Sequence, residues 1–485
     1  MISFNKVPAN ARVPFAYVEF DSSRAQQGSA AYKYKVLAIG QKLSGGTKAS
    51  GELVPITNKD QASQYFGEGS QLAEMIKYFL LNNSATELMA IGYDDHASAV
   101  KASGTLTITG TATAAGVINL YVAGKKVVAS VASGDDADTV AASINSAINA
   151  DSSLMVDSSV TDNVVTVTAK NGGELGNDID LRMNYAIGEE TPAGVSVAIV
   201  QMSGGVQNPD VSSVFTTIGD EHINIFLHAY LDSANLSAFE VELEDRFGPI
   251  RQNDGYQISA MKGTYSEVQT FGDGKNSKFL SVMDALGPCS PSAWAGAIAG
   301  QVSTSAEIDP AVPFQRLPLM GIMPPRIDER RNWNESNNLL FSGISTSSVV
   351  VDKVYIQRVI TTYRLNEAGA SDTAYLDLNT PLTLSFLRYD YRNTMLVKYP
   401  RHKLGKDGGN YGVGSKVVTP SVLKAETIAI FRRWEERGLV EDIDQFKSEL
   451  LVEINSSDPN RADTLMSPNL INQLRVLGTQ IQFLL

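Results

Sequence analysis

The chain has 485 residues, of which 43% are hydrophobic and 19% charged, so it carries material for several cores and is not a disordered polypeptide. A formal net charge of −13 excludes a protein that binds nucleic acid through a general basic surface. The single cysteine, Cys289, excludes an intramolecular disulfide framework and any cysteine-rich zinc module.

Residues 1–30 read as an extended arm. Pro8 and Pro14 remove backbone donors, an alternating apolar stretch runs over 15–20, and no adjoining segment offers a hairpin partner. Charge and proline also break this segment as a secretory signal. Neither of the long uncharged stretches, 105–124 and 285–306, is a run of about 20 apolar residues. The expectation is a soluble protein made in the cytosol.

Residues 34–93 read as a β-α-β unit. A strand over 34–39 ends at Gly40. A helix follows, with Leu72, Met75, Ile76, Phe79 and Leu80 on one face, and a strand over 87–91 is closed by Gly92. Composition changes near residue 94. No Phe or Trp stands between Phe79 and Phe215, although the chain holds 17 and 3 of them, and acids outnumber bases 11 to 5 over 96–204. Short strands dominate there (TLTITG, VINLYVAG, KKVVASVAS, NVVTVTAK, IDLRMNY). One helix over 137–150 interrupts them, with Asp135, Asp136 and Asp138 suited to its positive dipole end.

The α/β alternation then resumes. Strands over 223–230, 256–262 and 279–283 alternate with helices over 233–247, from Thr264, and over 291–303, which implies a mostly parallel sheet. Residues 306–345, with Pro310, Pro313, Pro318, Pro324 and Pro325, read as a long irregular connector that wraps or forms an interface. Beyond it come a strand over 354–363 and two helices, opened by Thr380-Pro381 and Thr419-Pro420 and running to 398 and 437. The second carries Leu423, Thr427, Ile430 and Trp434 on one face. A strand over 449–454 and an alternating stretch over 479–485 complete the chain.

The expected fold class is therefore α/β and α+β multidomain. Its parts are an N-terminal arm (1–30), a discontinuous α/β core domain (31–93 plus 206–345), an inserted β-rich outer domain (94–205), a C-terminal α+β domain (346–468) and a C-terminal arm (469–485).

Motifs for chemistry are incomplete. Gly40 to Thr47 nearly matches a phosphate-binding loop, but Gly46 stands where the lysine should be, and a plain turn is expected. The glycine-rich stretch 405–414 matches no nucleotide fingerprint and reads at least as well as a flexible surface loop. Gly343-Ile-Ser345-Thr-Ser347 resembles a nucleophile elbow that ends in Ser instead of Gly. The four histidines, His96, His222, His228 and His402, have no spacing that fits a metal pair, and structural or solvated roles are expected for each. Asp94-Asp95-His96 sits at a domain junction, where polar residues are ordinary. Cys289 has no nearby histidine and reads as an inert, partly buried thiol.

One charge feature departs from the acidic background. Over 385–440 there are 11 bases and 5 acids. The stretch reads either as a solvated surface with i,i+4 pairs such as Arg432 with Glu436, or as a docking surface for an acidic partner.

Four segments, in order, resemble the contractile tail sheath proteins of Mu-like bacteriophages. They are Arg12-Val-Pro-Phe-Ala-Tyr-Val-Glu-Phe-Asp-Ser-Ser, Val36-Leu-Ala-Ile-Gly-Gln, Asn338-Leu-Leu-Phe-Ser-Gly-Ile-Ser-Thr and Leu470-Ile-Asn-Gln-Leu-Arg-Val. The resemblance is strongest over about the first 95 and last 150 residues and weak in 94–205.

The resemblance implies a structural subunit, not an enzyme, with no cofactor or metal. Copies would stack as hexameric rings around a tail tube and contract to drive the tube through a host envelope for genome ejection. The implied partners are other copies, the tail tube protein, and baseplate and tail terminator proteins, without direct nucleic-acid binding or membrane insertion. The implied location is the phage tail of a virion assembled in the host cytoplasm. Arg12, Val13, Pro14, Phe15 and Tyr17 at one end, and Ile481, Phe483 and Leu485 at the other, would be inter-subunit arms. Lys424, Arg432, Arg433 and Glu436 would face the tube. The sheath of a genome-free injection particle fits the same residues. An α/β enzyme lacks its lysine, glycine and histidines, and a surface adhesin leaves the arms unexplained.

Overall fold

The computed structural model describes residues 32–412 and 414–484. The expected arm residues Arg12, Val13, Pro14, Phe15, Tyr17 and Leu485 therefore lie outside the described residues. The fold opens with Lys35–Gln41 (β1), Leu53–Ile56 (β2), Lys59–Phe66 (α1), Gln71–Asn82 (α2) and Glu87–Tyr93 (β3). Then come Ser103–Gly110 (β4), Gly116–Val122 (β5), Lys125–Val131 (β6), Ala137–Ala150 (α3), Val156–Thr161 (β7), Val164–Ala169 (β8), Leu181–Met183 (β9) and Val195–Ser203 (β10). A third group holds Val214–Ile218 (α4), Ile225–Leu227 (β11), Ser233–Phe247 (α5), Tyr256–Met261 (β12), Tyr265–Asp273 (α6), Leu280–Asp284 (β13) and Pro291–Ile308 (α7). Next are Trp333–Phe341 (α8), Thr346–Val350 (β14), Lys353–Arg358 (β15), Asn379–Lys398 (α9), Lys403–Leu404 (β16), Val417–Val418 (β17) and Pro420–Glu436 (α10). The last are Val440–Glu441 (β18), Ile443–Glu449 (α11), Leu451–Ile454 (β19), Ala462–Leu465 (β20) and Asn469–Leu470 (β21).

The main sheet has six strands in the order β13-β12-β11-β1-β3-β2. All pair in parallel except the edge strand β2, which runs antiparallel to β3 and carries Pro55, a residue tolerated at an edge. The strands are apolar on both faces because helices cover both. Alternate residues of β13 enter different clusters: Leu280 and Val282 join α5, α6 and α8, whereas Met283 joins the core beneath α7. Helices α2 and α7 approach backbone to backbone on that side. A Cβ on Gly296 would collide with the Met75 carbonyl, and one on Gly300 with that of Phe79. The outer edge of β13 is covered where Ser345 N–H donates to the Val282 carbonyl at 2.8 Å and Asp284 N–H to that of Ser345 at 3.0 Å.

Strands β4 to β10 build a four-stranded sheet, β10-β4-β8-β7, and a three-stranded one, β6-β5-β9, with α3 packed against them. Their core, including Leu106, Ile118, Ile144 and Val167, is separate from the main one. The chain enters and leaves this region side by side: Val100 and Val206 exchange N–H···O bonds of 3.1 and 3.3 Å. The seam with the main sheet is largely polar. Lys125 Nζ lies 2.8 Å from a Glu74 carboxylate oxygen, Lys262 Nζ 2.9 Å from Asp180, and Arg182 Nη1 2.6 Å from Glu329.

Helix α9 joins two cores. Leu382 belongs to the main one, while Phe386 and Leu387 pack with Ile430, Phe431, Trp434 and Phe446. The main core also takes in Val354, Ile356, Val359 and Leu378, past the expected break at 345/346.

Several local expectations need correction. The connector 306–345 is not irregular throughout, because α8 forms there with an Asn332–Glu335 capping box. The strand expected over 223–230 is regular only over Ile225–Leu227, and that over 354–363 ends at Arg358. Thr419 makes no side-chain cap bond to α10. The Asp407 carboxylate accepts the Ser421 N–H at 3.1 Å in its place.

Candidate assembly interface

The C-terminal stretch is fastened to its own subunit as far as Arg475. β21 pairs with β18, Ile471 N–H donates to the Leu439 carbonyl at 3.1 Å, and Gln473 Nε2 donates to that of Ala311 at 3.0 Å. Arg475 Nη2 reaches Asn379 Oδ1 at 3.0 Å and Asp377 at 3.1 Å. From 476 to 484 the chain has no regular secondary structure, and its apolar side chains face solvent. Ile481 is 85% and Phe483 77% exposed, alongside exposed Val476 and Leu477. Apolar side chains set out along an unpaired segment mark a contact surface.

At the other end, the Tyr32 ring meets those of Tyr34 and Phe386 with centroids 5.4 and 5.7 Å apart, and its hydroxyl accepts from Asn224 Nδ2 at 2.7 Å. Tyr32, the first described residue, thus lies between the main core and α9.

Helices α9 and α10 cross through a buried polar contact. Trp434 Nε1 donates to Asp390 Oδ2 at 2.8 Å, and Arg433 Nη2 donates to Thr394 Oγ1 at 3.1 Å beside the same carboxylate. Arg433 is therefore engaged within its own subunit. Lys424 is half-buried, and Arg432 and Glu436 are exposed. Arg432 and Glu436 form no ion pair, and Lys398 pairs with Glu426 at 2.6 Å. The structure thus brings Arg433 to the α9 contact and leaves Arg432 and Glu436 on the open side of α10. The sequence reading does not single out Leu396 and Val397, which are 57% and 69% exposed in the last turns of α9. The only local signal for them is two aliphatics among bases.

The other motifs have structural work. The loop 41–48 is sewn onto the end of α1, with Leu43 N–H donating to the Phe66 carbonyl at 2.8 Å and Thr47 N–H to that of Gln64 at 3.0 Å. A Cβ on Gly46 would lie 2.5 Å from the Tyr65 carbonyl oxygen, so no lysine fits there. Strand order reverses beside β1, where an open α/β sheet receives its ligands. Here the chain's own groups stand at that end of the sheet. Gln41 Nε2 donates to Asp95 Oδ1 and to the Gly172 carbonyl, each at 2.6 Å, and Asn171 Nδ2 donates to the Lys42 carbonyl at 3.0 Å.

Ser345 is fully buried, its Oγ accepting the Ile360 N–H at 2.9 Å. His228 Nε2 bonds Gln257 Oε1 at 3.0 Å and His222 Nε2 donates to the Asp254 carbonyl at 3.1 Å, and burial lowers both pKa values. Burial pushes the Cys289 thiol up to about 11. Among the described residues, no group of three His, Cys, Asp or Glu side chains is placed to hold a metal ion, and no helix is long and apolar enough to cross a membrane.

Residues 204–362 match the family described as phage tail sheath protein central domain, and residues 370–483 that described as phage tail sheath C-terminal domain. The chain is 41% identical to the Mu-like prophage FluMu tail sheath protein of Haemophilus influenzae over 486 residues, covering 100% of both. A crystal structure of a sheath tail protein from Desulfitobacterium hafniense aligns with 94% of this chain and 100% of its own, at 12% identity and a TM-score of 0.48. The contracted helical sheath of the anti-feeding prophage aligns with 98% of this chain and 99% of its own, at 9% identity and a TM-score of 0.45.

Proposed function

This chain belongs to the phage tail sheath family, and from that premise we propose that many copies of it polymerise as stacked hexameric rings around a tail tube. The sheath assembles extended and metastable. A signal from the baseplate releases it, and contraction drives the tube through the host envelope for genome ejection. The observation that carries this reading is the segment beyond Arg475, whose apolar side chains Val476, Leu477, Ile481 and Phe483 are exposed.

A helical polymer needs heterologous contacts that do not close on themselves. Extended arms supply them by adding a strand to a neighbour's sheet edge, Arg12 to Tyr17 at one end and Ile481, Phe483 and Leu485 at the other. Backbone hydrogen bonds tolerate sliding of side-chain packing, so copies stay tethered while they turn from one rigid packing to the other. The first packing is held kinetically, and no nucleotide is consumed.

The basic stretch 385–440 meets the tube. Each exposed ion pair contributes about 0–1 kcal/mol, so many of them give register without an irreversible bond. Baseplate and terminator proteins close the two ends of the polymer. Negative-stain microscopy of the purified full-length protein tests the reading. Helical tubes are the expected result, and monodisperse monomers at high concentration would sink it.

A further inference from the structure

Resting on the reading that the C-terminal region holds an acidic partner, we infer that the grip is the exposed corner just past α9, with Arg401, Lys403, Lys406 and Lys416 as its cations and the exposed Leu396 and Val397 in the turn of α9 that leads into it, and not helix α10. The corner is built by backbone pairing. Lys403 N–H donates to the Lys416 carbonyl and Gly405 N–H to the Val418 carbonyl, each at 2.8 Å, which brings the main chain on the two sides of the glycine-rich loop together. On the first side of the loop the Tyr411 hydroxyl donates to the Lys406 carbonyl at 3.1 Å. Its one carboxylate, Asp407, is turned back to the start of α10, where the Thr419 hydroxyl and the Ser421 N–H hold its pKa below the usual range.

All four cations are exposed, and among the described residues none has a carboxylate within ion-pair distance. Helix α10 is a poorer candidate. Arg433 is engaged by Thr394 and Asp390, Lys424 is half-buried, and the free Arg432 shares its helix end with Glu435 and Glu436.

The partner that fits is an acidic protein surface with a small apolar patch. Leu396 and Val397, exposed in the last turn of α9 shortly before Arg401, offer an aliphatic anchor that a phosphate backbone would leave uncovered. A chain of net charge −13 has no general basic surface for a polyanion, which favours a local contact over a wrapped nucleic acid. The contact is made of exposed charges and weakens steeply with salt.

The test uses the full-length chain and two probes, the polymerised tail tube protein of the same particle and immobilised poly-L-glutamate. One variant is Lys403→Glu/Lys406→Glu/Lys416→Glu, the other Lys424→Glu/Arg432→Glu, each checked for an unchanged melting temperature. At low salt the first should bind both probes at least tenfold more weakly while still self-assembling, and the second should stay within twofold of the parent. Loss of binding in the second with retention in the first would assign the grip to α10 and overturn the inference. So would unaltered binding in both, parent protein that binds neither probe, or displacement of poly-L-glutamate by duplex DNA at equal charge. Parent that binds poly-L-glutamate through the corner but ignores the tube would keep the inference and remove the tube as the partner. If the triple variant fails to fold, Leu396→Ser/Val397→Ser decides: weaker tube binding supports the corner, and unchanged binding overturns it.

Discussion

Asn171 caps helix α2 from outside the main sheet, its Oδ1 accepting the Gln71 N–H at 3.1 Å. Its Nδ2 donates at 3.0 Å to both the Lys42 carbonyl and Asp95 Oδ1, so one buried side chain ties the region of β4 to β10 to the end of β1 and the start of α2. Removing it leaves buried groups unpaired. Asn171→Ala should lower stability by about 2–3 kcal/mol in urea denaturation. Asn171→Asp should be no better, because it cannot donate to the Lys42 carbonyl and sets a second charge beside Asp95. Wild-type stability in either variant would show that water replaces the cap.

His228 makes the fold acid-sensitive. It is fully buried against Phe239, with ring centroids 4.7 Å apart, and burial lowers its pKa to about 4. The unfolded chain, with an ordinary imidazole near 6.5, binds the proton first as pH falls. Stability from this group is therefore intact above about pH 6.5, is lost as pH drops, and levels off near pH 4, amounting to about 2 kcal/mol between pH 7 and pH 5. In His228→Phe the difference in stability between those two pH values should shrink by about that amount. An unchanged difference would assign the acid sensitivity to other groups.

The chain end is predicted to matter for assembly and not for folding. Deleting residues 479–485 removes no hydrogen bond among the described residues, so the melting temperature should stay the same while polymer disappears from electron micrographs. A lowered melting temperature would place the segment in its own subunit's core.

The strands and helix between Val100 and Val206 should be removable. Because those two residues are already paired, a short Gly/Ser link can replace 101–205 without moving either end. The shortened protein should keep its helical signal and still polymerise, with a lower melting temperature because Glu74 loses Lys125 and α2 loses Asn171. Aggregation of the shortened protein would mean that the polar seam is needed to fold the main sheet.

Much of the fold is legible where one physical signal dominates. The 3.6-residue period marks α2 and acidic residues mark the start of α3, while the helix expected from Thr264 is α6, which the structure opens with a Thr264–Glu267 capping box. Helix α8 escapes because its interior, Asn-Glu-Ser-Asn-Asn, is polar and buries only Ser336 and Leu339; the Asn332–Glu335 capping box was the readable cue. Strand β7 escapes because Asp157, Ser158 and Ser159 hide its alternation. Among candidate site residues, the exposure of Ile481 and Phe483 follows from their having no local partner. The engagement of Arg433 does not, since it depends on Asp390 and Thr394, about 40 residues away in sequence. Charge counts locate a basic stretch but not which of its cations are already paired.

Helix α9 has a mechanical consequence. It is 20 residues long, about 30 Å at 1.5 Å per residue, and its two halves are set in different cores. A continuous rod clamped at both ends resists torsion, and Asp390 with Trp434 pins its second half. Turning one core against the other would require the rod to bend or a core to open. Compliance is thus pushed outward, to the stretch after Arg475, which no hydrogen bond among the described residues ties back, and each subunit behaves as a stiff block on a soft coupling.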